Sequence, residues 1–336
     1  MELYLDSTNL SEIEEAFELG FLYGLTTTPT FMHRDGITDI DGTILKLSKM
    51  VPVLQVEAMG AKSEDIVSEA HRLLKLGLDK DKTVFKIPIS LEGAKACKNL
   101  VDDGLMVNLH LVYTVQQAYI AFSAGATYVC PLVGRLQDQG HDALDLIDQS
   151  VKAVIRYGYN TKVMFSSVRH PEHVRNAIKL GVHACTIPWK VMKELAKSHF
   201  TDIGTQQFLE HTKLMTLKVK EVIRKEKGTI NTNKTIMDAL IEMTRTGLGA
   251  VTLVDSKSKI VGIFTDGDLR RLLESNGEGV LKKSLTELKS GTPLTIDANE
   301  SLYECSKIFG EKKVDNIIVV ENDVPIGILD IQDLMV

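Results

Sequence analysis

The chain has 336 residues, which is longer than one ordinary compact domain and enough for a barrel followed by a smaller module. Its 44% hydrophobic and 25% charged residues are typical of globular proteins, and 39 basic against 45 acidic residues give a formal charge of −6. This mildly acidic balance gives no electrostatic reason to expect nucleic acid or an anionic membrane surface as a partner.

The N-terminal stretch MELYLDSTNL lacks the basic start and the apolar run of a signal peptide, and no stretch of the sequence reaches transmembrane length. We therefore expect a cytoplasmic protein. The four cysteines are too widely spaced for a CxxC redox pair or a zinc knuckle. We expect Cys97, Cys130, Cys185 and Cys305 to be reduced and mostly buried.

The first two thirds of the chain alternate short β-rich runs with amphipathic helical segments. In chain order the runs are ELYLDS, GLTTT, VLQVEA, TVFKIPIS, MVNLHLVY, YVCPLVG, KVMFSSV and HACTIPW. Eight strands that are each followed by a helix predict a (β/α)₈ barrel, although the region is shorter than the roughly 250 residues usual for that fold. A doubly wound open sheet is the alternative, weakened because no GxGxxG loop follows an early strand.

The pattern changes after His199, where TDIGTQQFLEHTKLMTLKVKEVIRKEKG predicts one long helix that ends at Gly228. We place the domain boundary close to this helix, with a first domain over residues 1–222 and a second over 223–336.

The second domain contains an internal repeat. One copy begins at Thr229 and the other at Thr295, and Asp268 and Asp333 close them with an offset of 333 − 268 = 65 residues. The repeats span about 229–275 and 288–336, and each predicts a short strand, a helix, two strands joined by a turn and a second helix. One such unit is too small to bury a core well, so we expect the two copies to pack together.

Lys86 lies between Phe85 and Ile87 in the apolar run TVFKIPIS. Lysine is almost never fully buried without a partner, and residues of a parallel barrel strand face the interior or the helix layer. Burial favours the neutral amine, a nucleophile that forms a Schiff base with a carbonyl substrate. The other interpretation is a lysine that reaches the barrel rim or pairs with a carboxylate for stability.

Further polar groups interrupt or close other apolar strands. They are Asp6 in YLD, Glu57 in LQVE, Asn108 and His110 in VNLHLV, and Ser166 and Ser167 in VMFSS. Asp6 could simply cap the helix that STNLSEIEE predicts. Ionisable groups at the ends of three strands fit poorly with capping alone, and Schiff-base chemistry needs carboxylates that move protons.

The first ~220 residues resemble the small subtype of transaldolase and the related fructose-6-phosphate aldolases, class I enzymes with a (β/α)₈ barrel. The resemblance is carried, in order, by ELYLDST, GLTTTPT, VEAM, FKIPIS, GRLQDQG, FSSVRHP and HFTDIGTQQFLE. It implies that Lys86 forms the Schiff base, that Asp6 is the acid and base at the hydroxyl undergoing cleavage, and that Glu57 holds the catalytic water.

The resemblance also implies a set of substrate-binding residues. Thr26 and Asn108 would line the pocket, and Arg135, Ser167 and Arg169 would bind the substrate phosphate. Guanidinium groups bind phosphate through paired hydrogen bonds. Without the motif, each arginine would be interpreted as a solvated loop charge.

Three residues depart from the family pattern. Thr28 replaces an Asn that contacts substrate hydroxyls, His110 replaces a Thr near the catalytic water, and Leu132 replaces a Phe or Tyr that helps to separate transferases from aldolases. His110 could change proton traffic, contact the substrate, or be a satisfied core histidine. Glu57 in place of Gln, together with the GR of Gly134 and Arg135, favours a transaldolase.

The two repeats resemble a tandem CBS-domain pair, through GIFTDGDLRR in the first copy and GILDIQDL in the second. The resemblance implies a nucleotide or nucleotide-sugar ligand, held by Thr265 and Asp268 in the first repeat. In the second repeat Asp333 is also a candidate nucleotide-binding residue. Asp330, which stands there in place of the hydroxyl, would repel phosphate, so we expect at most one competent site. Standing alone, TDGD is more often a turn with a helix cap.

Three functions remain open: a transaldolase-like transfer of a dihydroxyacetone unit between sugar phosphates, a fructose-6-phosphate-aldolase-like cleavage, and a catalytically silent barrel that serves the CBS pair. No metal or cofactor is implied, because the lysine iminium replaces the metal of class II aldolases. The resemblance also implies a homo-oligomer in which the helix TDIGTQQFLEHTKLM packs on a neighbouring subunit.

Overall fold

The computed structural model describes residues 1–224, 226–288 and 291–334. It divides into two compact units, the first from Met1 to Lys197 and the second from Ser198 onward. Our boundary between residues 222 and 223 stays a prediction.

The first unit is a closed parallel barrel in which each strand pairs with the next and the eighth pairs with the first. The strands are β1 Glu2–Asp6, β2 Gly24–Thr26, β3 Leu54–Glu57, β4 Thr83–Pro88, β5 Met106–Val112, β6 Tyr128–Pro131, β7 Lys162–Phe165 and β8 Ala184–Ile187. The closed barrel confirms the predicted (β/α)₈ fold and excludes the open sheet.

Helices cover the outside of the barrel strands. They are α1 Leu10–Phe17, α2 Pro29–Arg34, α3 Ile40–Met50, α4 Ser63–Leu76, α5 Leu91–Asp102, α6 Val115–Ser123, α7 Val133–Asp138, α8 Ala143–Tyr157, α9 Pro171–Lys179 and α10 Trp189–Met192. Side-chain caps fix several of their starts. The Ser90 hydroxyl, for example, accepts a hydrogen bond of 2.9 Å from the Gly93 N–H, which begins α5 directly after β4.

The barrel strands are apolar on both faces because one side packs in the interior and the other packs against helices. In β4, Val84, Phe85 and Ile87 are fully buried, and Lys86 between them is 4% exposed. Cys97, Cys130, Cys185 and Cys305 are free and buried, as predicted.

The prediction of one long helix after His199 is wrong. The structure has α11 His199–Thr216 and a separate short helix, α12 Val219–Val222; residue 225 of the prediction lies outside the described residues. The break occurs at Leu217, whose carbonyl accepts from the Leu302 N–H at 3.0 Å. The Val219 N–H then donates to the Glu300 carbonyl at 2.9 Å, so pairing with the second repeat replaces helical bonds.

Each repeat forms its own three-stranded sheet. The first contains β9 Thr229–Asn231, α13 Ile236–Thr246, β10 Ala250–Val254, β11 Ile260–Thr265 and α14 Asp266–Asn276, with strand order β11-β10-β9. The second contains β12 Thr295–Asp297, α15 Leu302–Lys312, β13 Asn316–Glu321 and β14 Val324–Asp330, with order β12-β13-β14. Two short 3₁₀ helices, Glu278–Lys282 and Leu285–Glu287, follow α14.

The second repeat departs from its prediction at the end. Ile331–Leu334 is a 3₁₀ turn rather than a second α-helix, and residues 289–290 and 335–336 of that repeat lie outside the described residues. Each repeat has a separate apolar core. The predicted packing between them includes a small shared cluster that contains Leu248, Ala250 and Ile328.

Across these described residues, no helix combines the length and the apolar character needed to cross a membrane.

Candidate active site

The register of three neighbouring strands brings three predicted site residues side by side. Glu57 at the end of β3 is paired with Lys86 on β4, and Lys86 is paired with Asn108 on β5. Glu57 ends β3, Lys86 lies two residues before the end of β4, and Asn108 lies beside Lys86 within β5. Barrel enzymes carry their chemistry at the carboxyl ends of the strands, where Glu57 and Lys86 lie.

Lys86 is held by two oxygen atoms. Its Nζ atom donates a hydrogen bond of 2.7 Å to the Thr27 carbonyl and lies 3.0 Å from Oε1 of Glu57. The other carboxylate oxygen of Glu57, Oε2, lies 2.9 Å from Nε2 of His110. The three side chains are at most 9% exposed, so Glu57 bridges two buried nitrogen groups.

This arrangement shifts the pKa values of the acid and the imidazole. Burial alone would raise the pKa of the Glu57 carboxyl, but Lys86 and His110 outweigh burial and hold that pKa below its ordinary value. Burial lowers the pKa of His110, and Lys86 and Arg135 lower it further against the opposing effect of Glu57. The resulting charge pattern is an ionised Glu57 beside a neutral His110.

Asp6 lies at the end of β1 and faces a different neighbour. The Thr26 hydroxyl donates to its Oδ1 at 2.9 Å, because β1 and β2 pair Asp6 with Thr26. Asp6 does not cap the following helix: Asn9 caps α1, and that alternative interpretation is wrong. Burial raises the pKa of Asp6, with Lys86 and Thr26 opposing it, which suits a group that exchanges a proton.

A single cavity of about 710 Å³ contains all of the barrel residues selected from the sequence. Its lining includes Asp6, Thr26, Thr28, Glu57, Lys86, Asn108, His110, Leu132, Arg135, Ser167 and Arg169. This volume suits a sugar-sized ligand. The roles assigned to the individual residues remain predictions.

The predicted phosphate-binding groups lie together on two adjacent segments of the cavity wall. Arg135 belongs to α7 and donates from Nη1 to the Tyr113 hydroxyl at 3.1 Å. Ser167, with a φ of +59°, and Arg169 belong to the loop after β7, and Arg169 Nη2 lies 2.9 Å from Oδ2 of Asp138. Both guanidinium groups therefore remain accessible from the cavity.

All three residues that depart from the family pattern, Thr28, His110 and Leu132, line this cavity. Thr28 caps α2, and its hydroxyl accepts from the Phe31 N–H at 3.3 Å. Leu132 begins α7 and presents an apolar side chain where the family has an aromatic one.

The structure adds site residues that the sequence did not reveal. The Thr27 carbonyl holds Lys86, and a backbone acceptor leaves no side-chain pattern in the sequence. Thr186 on β8 contacts the Thr26 hydroxyl, and Gln55 on β3 accepts from Asn108 Nδ2 at 2.7 Å. The sequence did contain a signal for Thr186 and Gln55, because each is a polar residue inside an apolar run, ACTIPW for Thr186 and VLQVEA for Gln55. Arg34 of α2 adds a further cation to the lining.

The candidate nucleotide residues of the first repeat form a helix cap. Thr265 caps α14, its hydroxyl donates to Oδ2 of Asp268 at 2.7 Å, and Asp268 also pairs with Arg271 at 2.6 Å. Thr265 and Asp268 are thus adjacent, and the simple cap interpretation of TDGD holds in this structure.

Both carboxylate oxygens of Asp333 in the second repeat accept hydrogen bonds. Oδ2 accepts from the Asp330 N–H at 2.9 Å, and Oδ1 accepts from Arg224 Nη2 at 3.2 Å. Arg224 also donates from Nη1 to the Gly247 carbonyl at 3.0 Å, so one side chain joins the two repeats.

Comparison with known proteins agrees with this architecture. The family described as Transaldolase/Fructose-6-phosphate aldolase matches residues 3–242, and the CBS domain family matches residues 219–275 and 286–336. These matches confirm the resemblances stated from the sequence.

Individual relatives match each part of the chain. A probable transaldolase from Coprothermobacter proteolyticus is 39% identical over 209 residues, which is 62% of this chain and 95% of the relative. One from Thermoanaerobacter sp. (strain X514) is 37% identical over 220 residues, 65% of this chain and 100% of the relative. A solved CBS domain protein from Pyrobaculum aerophilum, complexed with AMP, is 15% identical, covers 35% of this chain and 89% of its own, and has a TM-score of 0.32.

Proposed function

The chain belongs to the transaldolase/fructose-6-phosphate aldolase family and carries a tandem CBS pair, and we propose that it is a class I transaldolase-like enzyme for sugar phosphates. In this proposal Lys86 forms a Schiff base with a ketose phosphate and a dihydroxyacetone unit passes to an acceptor aldehyde. The observation that carries it is the buried contact between Lys86 and Glu57, with Asp6 lining the same cavity.

The proposed reaction begins when Lys86 passes a proton to Glu57 and its amine attacks the substrate carbonyl. Glu57 then returns that proton to the carbinolamine hydroxyl, which leaves as water when the iminium forms. Asp6 then takes the proton of the neighbouring hydroxyl as the carbon–carbon bond breaks. The bonding electrons move into the iminium to give an enamine, and the aldehyde product leaves. The enamine adds to the acceptor aldehyde, Asp6 returns its proton, and water hydrolyses the new iminium.

Glu57 supports both hydration steps. Its Oε1 contacts the Lys86 ammonium, and its Oε2 contacts His110, so the carboxylate can hold a water molecule against the carbinolamine while His110 shares the proton. This contact favours the proton-traffic interpretation of His110 over a satisfied core histidine, because His110 also lines the cavity.

The substrate phosphate is proposed to bind Arg135, Ser167 and Arg169. Two guanidinium groups in the cavity lining supply positive charge, and the Ser167 hydroxyl in the same lining adds a hydrogen-bond donor. The phosphate would thus anchor the end of the sugar that lies away from Lys86.

For the CBS pair we propose a nucleotide or nucleotide-sugar ligand that adjusts barrel activity. Thr265 and Asp268, at the N-terminus of α14, offer a hydroxyl and a carboxylate of the kind that hold phosphate and ribose. Ligands such as AMP, ATP and CMP-sugars should be screened for binding and for a change in turnover; if none does either, this part of the proposal fails.

Borohydride trapping with intact-mass spectrometry tests the central proposal. The protein is incubated with fructose 6-phosphate, sedoheptulose 7-phosphate or dihydroxyacetone, and then reduced. We expect a covalent mass increase in the wild type and in Lys82→Ala, an exposed lysine on the same chain segment, but none in Lys86→Ala. An adduct that persists in Lys86→Ala would refute the assignment.

Product analysis separates transfer from simple cleavage. A transaldolase turns over a donor only when an aldehyde acceptor is present, whereas an aldolase releases dihydroxyacetone from the donor alone. Leu132 in the cavity keeps the aldolase as the second candidate, because the family residue that helps to separate the two activities is absent. A folded protein that forms no adduct with any donor would support the silent barrel.

A further inference from the structure

The two segments that carry the predicted phosphate-binding groups are joined by one buried histidine. His173 lies in the first turn of α9 and is 2% exposed. Its Nδ1 accepts a hydrogen bond of 3.2 Å from the Arg169 N–H, and its Nε2 lies 2.6 Å from Oε1 of Gln137 on α7. The ring therefore connects the loop after β7 with the helix that carries Arg135.

The hydrogen-bonding chemistry fixes the state of this ring. The Arg169 N–H can only donate, so Nδ1 of His173 must be unprotonated. A neutral imidazole then carries its proton on Nε2, which donates to the Gln137 carbonyl oxygen. If Nδ1 were protonated, it would become a donor facing the Arg169 N–H, which is also a donor, and the hydrogen bond between them would be lost.

The backbones of the two segments, α7 and the loop after β7, also lie in close contact. A Cβ atom on Gly134 of α7 would lie 2.0 Å from the Ser167 carbonyl oxygen, so only glycine permits this approach. The Val133 N–H donates to the Ser166 carbonyl at 3.1 Å, and the Ser166 hydroxyl donates to the Pro131 carbonyl at 2.7 Å. Ser167 itself adopts a left-handed backbone, which is costly for a residue with a side chain and persists where its surroundings hold it.

We propose that His173 is a positioning residue that presets the phosphate-binding wall, by holding the loop of Ser167 and Arg169 against the helix of Arg135. The proposal rests on the proposed function, since it assigns a phosphate to that wall. Two guanidinium groups on adjacent segments repel each other, and a rigid connection keeps both near one anion without ordering them on binding.

The test compares phosphorylated and unphosphorylated substrates. In His173→Ala, both hydrogen bonds are lost, and we expect KM for fructose 6-phosphate to rise about tenfold, with kcat within about twofold of wild type. With unphosphorylated fructose as donor, kcat/KM should change by less than about twofold. His173→Asn, which can keep an oxygen near the Arg169 N–H, should restore part of the loss.

Two further variants guard against a simple folding defect. Gln137→Leu removes only the distal partner and should raise KM for fructose 6-phosphate in the same direction. His170→Ala removes a ring whose centroid lies 3.9 Å from that of His173 at a tilt of 49°. It removes neither of the two hydrogen bonds of the His173 ring, so KM should stay unchanged. Thermal unfolding of every variant reports stability separately.

The outcomes distinguish the two proposals. Equal losses with fructose and fructose 6-phosphate, or a fall in stability alone, would overturn the positioning role while leaving the Schiff-base function intact. The phosphate site itself would be refuted if the wild type showed no preference for the phosphorylated donor and if inorganic phosphate did not inhibit it competitively. A rise in the inhibition constant of inorganic phosphate that parallels the rise in KM would support the inference directly.

Discussion

The Nζ atom of Lys86 lies 3.0 Å from Oε1 of Glu57 inside the barrel, and the two side chains are 5% and 6% exposed. A buried ion pair of this kind is poor evidence of stabilisation, because the cost of removing both charges from water offsets their attraction. The second oxygen of Glu57 contacts His110, so the carboxylate connects two groups that exchange protons in the proposed reaction.

Replacing Glu57 by Gln should slow Schiff-base formation. The amide keeps the shape of the side chain but cannot carry the proton or the charge, so we expect the rate of adduct formation to fall by about 10²-fold. Rapid-quench borohydride trapping measures this rate. Glu64→Gln, which alters an exposed partner of Lys95, is the matched control. An unchanged rate in Glu57→Gln would show that the carboxylate takes no part in hydration.

His110→Thr, which restores the family residue, should change the acid limb of the pH–rate profile. The charged groups that face His110 are Glu57, Lys86 and Arg135, and burial lowers the pKa of the imidazole. We expect wild-type kcat to fall with an apparent pKa below the ordinary value of about 6.5 as His110 protonates. In His110→Thr this limb should move to lower pH. Identical profiles would assign the limb to another group.

The sequence indicated that the polar residues of the barrel strands would lie in one place, and the structure brings them to one cavity, while their roles stay predictions. Asp6, Glu57, Lys86 and Asn108 interrupt apolar runs, and parallel pairing necessarily brings such interruptions to one end of a barrel. The Thr27 carbonyl could not be predicted in this way, because every residue has a carbonyl and only the fold selects one.

The prediction from the sequence was wrong for the segment that leads into the repeats. Helix-forming residues continue past Leu217, but the backbone there bonds to Leu302, more than eighty residues later. Local propensity cannot report such a contact, since tertiary pairing overrides it. The bond from Arg224 to Asp333 is hidden for the same reason.

Buried histidines should make the protein less stable in mild acid. Burial is the main cause that lowers the pKa of His110 and His183, and together with His170 and Arg169 it lowers that of His173 to about 4. The unfolded chain takes up protons at an ordinary pKa of about 6.5, before the native state does. The free energy of unfolding should therefore fall between about pH 6.5 and pH 4, by up to about 1.4 kcal/mol per pH unit for each group.

Urea unfolding at pH 7, 6 and 5 measures this slope. Asp6 acts in the opposite direction, because its raised pKa lets the native state take up a proton first. The comparison with His173→Gln isolates one histidine: its slope should be shallower than that of the wild type, whatever its stability at pH 7. Equal slopes would mean that His173 protonates alike in the folded and unfolded chains. Asp138 and Glu172, which oppose the lowered pKa, are present in both proteins.

Helix α11 should form a contact between subunits. It has no buried residue among His199–Thr216, and Phe200, Phe208 and Met215 are 84%, 72% and 70% exposed. Several exposed apolar side chains along one helix suit a surface that another subunit covers. We expect a homo-oligomer by light scattering, and Phe208→Glu should shift it to smaller species. Ile155→Glu, which alters another exposed apolar residue, is the control. A wild-type monomer would contradict the prediction.

The two repeats should differ in their response to loss of the motif carboxylate. In the first repeat Asp268 pairs with Arg271, which is 70% exposed and free to swing away when a ligand arrives. In the second repeat Asp333 accepts from the Asp330 N–H with one oxygen and from Arg224 with the other, and Nη1 of Arg224 donates to the Gly247 carbonyl. A ribose would have to displace bonds that hold the repeats together, and Asp330 would repel its phosphate.

We therefore expect one nucleotide per chain when AMP, ATP and CMP-sugars are titrated calorimetrically. Asp268→Asn should abolish binding of whichever probe binds, because the amide cannot accept from two ribose hydroxyls as a carboxylate does. Asp333→Asn should leave the affinity within about threefold of wild type, since a ligand that avoids this site does not sense its charge. Loss of binding in Asp333→Asn with retention in Asp268→Asn would reverse the assignment and make Arg224 a ligand contact rather than a brace between the repeats.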